Sequence, residues 1–236
     1  MSRADTNELW ARGIAARWLP NKLFRWELYE SAMAGIVKGP MPWLDLGCGD
    51  IDFTSEFRAM AYGIGLDRRL PQNISSPFIR ADLAALPVRS DSMGAVCLRF
   101  VLEHLSSPEE IWTECRRVLV PGGRVLVITT NSFSPLVMLA RLLPVQLKRF
   151  LIETFFGATR ESVLPVYHRW NTPGRIKRPP EGFELERIEF VEALNWHRRF
   201  IFRLLLCMAA LTRNPIMQRF RSNILAVYIR VEGKNG

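Results

Sequence analysis

The stretch WLDLGCGD, residues 43–50, constrains this chain more than any other. Trp43, Leu44 and Leu46 make an apolar run suited to a strand entering a parallel sheet, and the run breaks at Gly47 and Gly49. Glycine lets a backbone turn sharply while a ligand lies against it, so the pattern is that of a cofactor-binding turn. Its charge narrows the cofactor. A dinucleotide site offers its glycines and a helix N-terminus to a pyrophosphate, and a carboxylate facing that ligand would oppose binding. Here Asp45 stands just before the turn and Asp50 at its end. That suits a cationic or zwitterionic ligand whose amine Asp45 holds directly or through water.

The elements that follow have the order of a βαβ-based sheet. AYGIGLD ends at Asp67, twenty-two residues beyond Asp45, where a second strand should emerge and where an acid accepts both ribose hydroxyls. ADLAALP closes a third short strand at Asp82, AVCLRFVLEHL reads as a buried strand running into a loop, and ECRRVLVPGGRVLVITTN reads as a helix end, a Pro-Gly-Gly turn and a fifth strand. Strands are expected near 42–46, 62–66, 77–81, 94–99 and 124–130. FELERIEFVEA (183–193) supplies a sixth and NILAVYIRV (223–231) a seventh. Residues 5–37 read as helical, broken near Pro20.

The order LDLGCG, GLD, ADL, LRFVLEHL and RVLVPGGRVLVI resembles the class I S-adenosylmethionine-dependent methyltransferases, in particular the type 11 group that includes ubiquinone and menaquinone methyltransferases. The resemblance is close over residues 40 to 131. It implies an α/β, Rossmann-like fold: a seven-stranded, mostly parallel sheet with helices on both faces and the last strand antiparallel. It also implies S-adenosyl-L-methionine as cofactor, held by Asp45, Gly47, Cys48, Gly49, Asp67, Arg68, Asp82, Leu83, Arg99 and Phe100, with Asp67 on the ribose and Asp82 and Leu83 flanking the adenine. The family's third glycine falls at Ile51, and Gly94 stands where an aspartate often opens the fourth strand. One domain is expected over 1–236: a helical cover (1–40), a cofactor half (41–131) and a substrate half (132–236) with apolar helical insertions at 133–157 and 196–222.

Charge is distributed unevenly. Residues 1–140 contain 15 basic and 15 acidic residues, whereas 141–236 contain 17 and 8, so the whole net charge of +9 belongs to the back half. Basic character there suggests an anionic partner. The apolar run 200–211 includes Arg203 and is well short of the roughly 20 residues that cross a bilayer. Apolar helices flanked by Arg suit a peripheral membrane contact or a cover over a greasy substrate. Cys48, Cys97, Cys115 and Cys207 lack CxxC spacing. They read as reduced thiols of a cytoplasmic protein, without a metal or a disulfide frame; the basic, apolar insertions are what suggest a peripheral place on the inner membrane face. The N-terminus lacks the order of a signal peptide.

Methyl transfer asks an enzyme to position the acceptor and, for a hydroxyl, to remove its proton. Glu103 and His104 follow the fourth strand, where the resemblance implies the acceptor. His104 is the first candidate base, since a histidine titrates near neutrality. His168, within the cluster Tyr167, His168, Arg169 and Trp170 before a helix start at Thr172-Pro173, is the second. The expected acceptor is the oxygen or carbon of a small or lipid-linked molecule. The Asn-Pro-Pro-Tyr signature of nitrogen methylation is absent, and the basic segments are rich in Leu and Phe, which favours lipid-like or membrane-bound acceptors over a hydrophilic phosphate track. Methylation of RNA or another nucleic acid and a non-catalytic S-adenosylmethionine-fold binding protein stand as alternatives.

Overall fold

The computed structural model describes residues 3–20, 23–50, 53–57, 59–72, 76–156, 166–167 and 169–232. The chain divides into two compact units. Unit 1 comprises Met1–Leu28, Thr130–Val166 and Phe190–Ile224, and unit 2 comprises Tyr29–Thr129, Tyr167–Glu189 and Leu225–Gly236.

Seven strands, β1 (Trp43–Leu46), β2 (Gly63–Asp67), β3 (Phe78–Arg80), β4 (Met93–Arg99), β5 (Leu119–Thr130), β6 (Phe183–Val191) and β7 (Asn223–Arg230), form one sheet in the order β3-β2-β1-β4-β5-β7-β6. The pairings β1·β2, β1·β4, β2·β3 and β4·β5 are parallel. The last strand reverses direction: near its start, Asn131 N donates to Ser222 O, and near its end Arg230 donates to Leu119 O at the opening of β5. The sheet has the architecture the resemblance implied. Leu44, Leu46, Leu66, Val96 and Leu98 are fully buried, the pattern of central parallel strands covered on both faces.

Two local features refine the sequence reading. The Pro-Gly-Gly segment is an excursion within β5, because Met93 pairs with Leu119 before the register jumps to Ala95 with Arg124. The strand therefore begins five residues ahead of its expected start at 124. Gly94 has a steric reason: a Cβ there would lie 2.8 Å from Cβ of Met41, so an aspartate in its place would require that segment to move.

Helices α1 (Arg3–Trp18), α2 (Arg25–Ile36) and α3 (Phe53–Glu56) precede α4 (Pro108–Val118); in unit 2, α4 buries Ile111, Trp112, Cys115 and Val118 along one side, the spacing of an amphipathic helix. Trp112 meets Trp170, Phe183 and Tyr228 at ring distances of 5.6, 5.4 and 5.1 Å. The short helix α7 (Pro173–Ile176) starts at Thr172-Pro173 as expected, with Thr172 Oγ1 accepting from Arg175 N.

In unit 1, α1 (Arg3–Trp18) packs on α8 (Arg199–Leu211) through Ala11, Ala15, Phe202, Leu206 and Ala209. The insertion expected at 133–157 contains α5 (Pro135–Leu142) and α6 (Val145–Phe156), separated at Pro144, and residue 157 lies outside the described residues. The insertion at 196–222 is α8 followed by a 3₁₀ turn, Met217–Phe220.

Unit 1 also buries polar groups. Arg221, 1% exposed, donates to Thr212 O, Thr212 Oγ1 and Phe190 O. Glu192 is 4% exposed, and neither carboxylate oxygen has a hydrogen bond of ordinary geometry. Burial raises its pKa, and Ser222 and Arg221 only partly oppose this. The folded chain thus holds this proton more tightly than the unfolded chain does. Stability from this group is full at low pH and falls as pH rises through the ordinary carboxyl range toward the raised value. Glu192→Gln should stabilise the chain at neutral pH by about 1 kcal/mol, with the gain shrinking in acid. Calorimetric unfolding across pH measures this, and a gain independent of pH would contradict it.

Candidate functional site

The carboxyl ends of β1, β2 and β4 carry most of the expected site, all within unit 2. At the end of β1 the chain turns through Gly47 and Gly49 at φ 71° and 59°, left-handed values that glycine adopts without strain. Gly47 N donates to Leu66 O at 2.7 Å, and a Cβ on Gly47 would lie 2.5 Å from Val101 Cγ2. Among the described residues, nothing approaches within 4 Å of a Cβ built on Gly49. The first glycine is therefore required by packing as well as by backbone angle, whereas at the second the described residues leave room.

Asp67, at the end of β2, is fastened to this turn. Its Oδ2 accepts from Gly49 N at 3.0 Å and its Oδ1 from Arg69 N at 2.9 Å. A carboxylate has about four acceptor positions, so two such bonds fix it and leave capacity for ligand hydroxyls. Asp50 Oδ1 accepts from Gln72 N. Asp82 is half-exposed, accepts from Ala84 N at 3.0 Å and pairs with Arg68 at 2.5 Å. The Ala84 amide, then Arg68, hold its carboxyl below the usual range. Leu83 is half-buried.

Asp45 is 1% exposed, and its carboxylate takes both Nη2 (2.5 Å) and Nε (3.3 Å) of Arg99. Burial alone would lower the Arg99 pKa, but Asp45 outweighs it and the guanidinium is held above its usual range. The resemblance implied that Asp45 and Arg99 both hold the cofactor, and the structure joins them to each other as a buried pair. Cys48 is also buried, with its sulfur 3.1 Å from where a Gly65 Cβ would stand. Burial, then Asp45 and Asp67, push the thiol up to about 12.

After β4 the backbone bends at Phe100, held at φ 54° with its N donating to Ile128 O. A positive φ in an aromatic residue is strained and is maintained only where neighbouring structure enforces it. The 3₁₀ turn Leu102–His104 follows. Its Glu103 is 1% exposed and accepts from Thr129 Oγ1 at 2.6 Å, while its carbonyl accepts from Tyr167 N. His104 is half-exposed. Of the expected aromatic cluster, Tyr167 is half-exposed, Arg169 donates to Ser106 O, and Trp170 is 2% exposed with the Arg175 guanidinium 3.5 Å from its ring centre. Trp170 is thus a core residue. His168 and Ile51 lie outside the described residues.

Sequence reasoning missed the Asp45–Arg99 and Glu103–Thr129 pairings. The first had a signal: each apolar strand run contains a single charged residue near its end, and in register Asp45 lies beside Cys97, two residues before Arg99, so the two charges share one face of the sheet a diagonal step apart.

Residues 44–127 match the methyltransferase domain family. Two curated relatives are similar over the same part of the chain. A probable S-adenosylmethionine-dependent methyltransferase of Mycolicibacterium smegmatis is 33% identical over 102 residues, covering 39% of this chain and 40% of the relative. A ubiquinone/menaquinone biosynthesis C-methyltransferase of Burkholderia cenocepacia is 29% identical over 119 residues, covering 44% and 48%. The chain thus matches less than half the length of either relative. Among solved structures, a chain of the complex between the Haloferax volcanii Trm112 methyltransferase activator and a "putative methyltransferase" superposes with a TM-score of 0.60 at 17% identity over 100% of both chains. That likeness is one of fold.

Removing one member of a buried ion pair strands the other charge. Arg99→Leu should therefore destabilise the chain by about 3–5 kcal/mol, and adding Asp45→Asn should recover a large part of that loss. Denaturant unfolding of the single and double variants measures both effects. Additive losses would show that the two charges act independently.

Proposed function

We propose that the chain is an S-adenosylmethionine-dependent methyltransferase acting on the oxygen or carbon of a small or lipid-linked acceptor presented at a membrane surface. The observation that carries this reading is the bond from Gly49 N to Asp67 Oδ2, which ties a left-handed glycine turn to an acid at the next strand's end. The turn accommodates close approach of a ligand, and the fixed carboxylate retains acceptor capacity for ribose hydroxyls. Asp82, Leu83 and Arg68 form the adenine side, and Phe100 bounds the site from the fourth strand. Asp45, with Arg99 and Cys48, supports the turn from below. The cofactor, when bound, supplies a methyl group on a sulfonium sulfur.

The chain's own residues then have to orient the acceptor and take its proton. Glu103 is buried and engaged by Thr129, so His104, half-exposed on the same turn, is the better placed base. The lipid-linked acceptor class is supported by the apolar and basic character of the two insertions.

Calorimetry with S-adenosylhomocysteine should give micromolar binding that Gly47→Ala or Asp67→Ala weakens, with no binding of NADH. The reverse preference would overturn the cofactor assignment. With an acceptor identified by mass spectrometry of extracts supplied with labelled cofactor, His104→Ala should lower turnover about 100-fold and leave S-adenosylhomocysteine affinity unchanged. Undiminished turnover would remove His104 as the base.

A further inference from the structure

Helix α8 carries apolar side chains on two opposite sides. Phe202, Leu206 and Ala209 are buried against α1. Leu204 and Leu211, seven residues apart and so on one side of the helix, are 50% and 78% exposed. The same unit contains α5, in which no residue is buried and Leu142 is 81% exposed. Single exposed leucines are ordinary, but a repeated apolar side with no cover marks an interaction surface.

Charge identifies the partner. Unit 1 is built from three separate stretches of chain that together hold 15 basic and 6 acidic residues, whereas unit 2 holds 17 of each. The entire +9 therefore belongs to the unit that exposes α5 and the outer side of α8. Arg141 and Arg203 each directly precede an exposed leucine, and both are exposed, as is Arg213 just beyond α8. A second copy would bring a second +9 against this surface, which repulsion opposes. At 13 residues α8 is too short to span a bilayer. Among the described residues no helix is long and apolar enough to cross one.

We propose that the outer side of α8 docks unit 1 on an anionic bilayer, with Leu204 and Leu211 entering the acyl boundary and Arg203 and Arg213 meeting lipid phosphates. The inference deepens the lipid-linked reading above, on which it rests for its purpose though not for its physics.

Sedimentation with vesicles of equal parts phosphatidylglycerol and phosphatidylcholine tests it, against pure phosphatidylcholine and at low and high salt. The chain should pellet with the anionic vesicles at low salt and be released at high salt. Leu204→Glu with Leu211→Glu should weaken binding about tenfold or more, and Arg203→Glu with Arg213→Glu should abolish its salt dependence. S-adenosylhomocysteine binding, measured on the same samples, reports folding and separates this inference from the cofactor reading. Failure to pellet under every condition overturns the docking. So does binding that both paired variants retain while folded, or a dimer in lipid-free solution that the leucine variants dissociate.

Discussion

The buried ion pair between Asp45 and Arg99 is the constraint around which the centre of the sheet is organised. β1 and β4 are adjacent, central and buried on both sides, a setting in which an unpaired charge would cost several kcal/mol. Each strand places one charged residue there, and the two neutralise each other in a two-point contact. Asp45 stands two residues before Gly47, so the glycine turn leaves its strand from a fixed polar base in an otherwise apolar interior.

A second polar fixture acts one strand further along. Glu103, buried on Thr129, anchors the turn that leaves β4, and Phe100 is held at a strained backbone angle at the start of that turn. Together they stiffen a loop that in most proteins would be mobile. Stiffness has a use in displacement chemistry, where reactivity depends on alignment of the attacking atom. Tyr167 and Arg169 are tied to it, the first by its N on Glu103 O and the second by its guanidinium on Ser106 O.

Much of unit 2 was legible in the sequence because β1, β2 and β4 are short apolar runs, the first ending at a glycine and the second at an aspartate. Those signals are local, and so the succession of strands along the chain and the positions of Asp67 and Asp82 followed from them, while the sheet they form was implied by the resemblance. What stayed hidden depends on side chains far apart in sequence. The Asp45–Arg99 pair needs the register of two strands, and the role of Trp170 needs its ring contact with Trp112 of α4. The charge division was visible only in outline. A cut at residue 140 assigned the basic stretch Arg169–Arg187 to the charged part, yet that stretch folds into the neutral unit, while the N-terminal helix, counted with the neutral half, folds into the charged one.

The thiols carry a practical consequence. Cys48, Cys97 and Cys115 are buried, and burial pushes all three above the ordinary thiol range, so they resist alkylating reagents while the chain is folded. Cys207 is exposed and stands between Leu204 and Leu211 on the same side of α8. The native chain therefore offers one chemically selective attachment point, and a polarity-sensitive dye placed there would register what that side of the helix meets without any engineered residue.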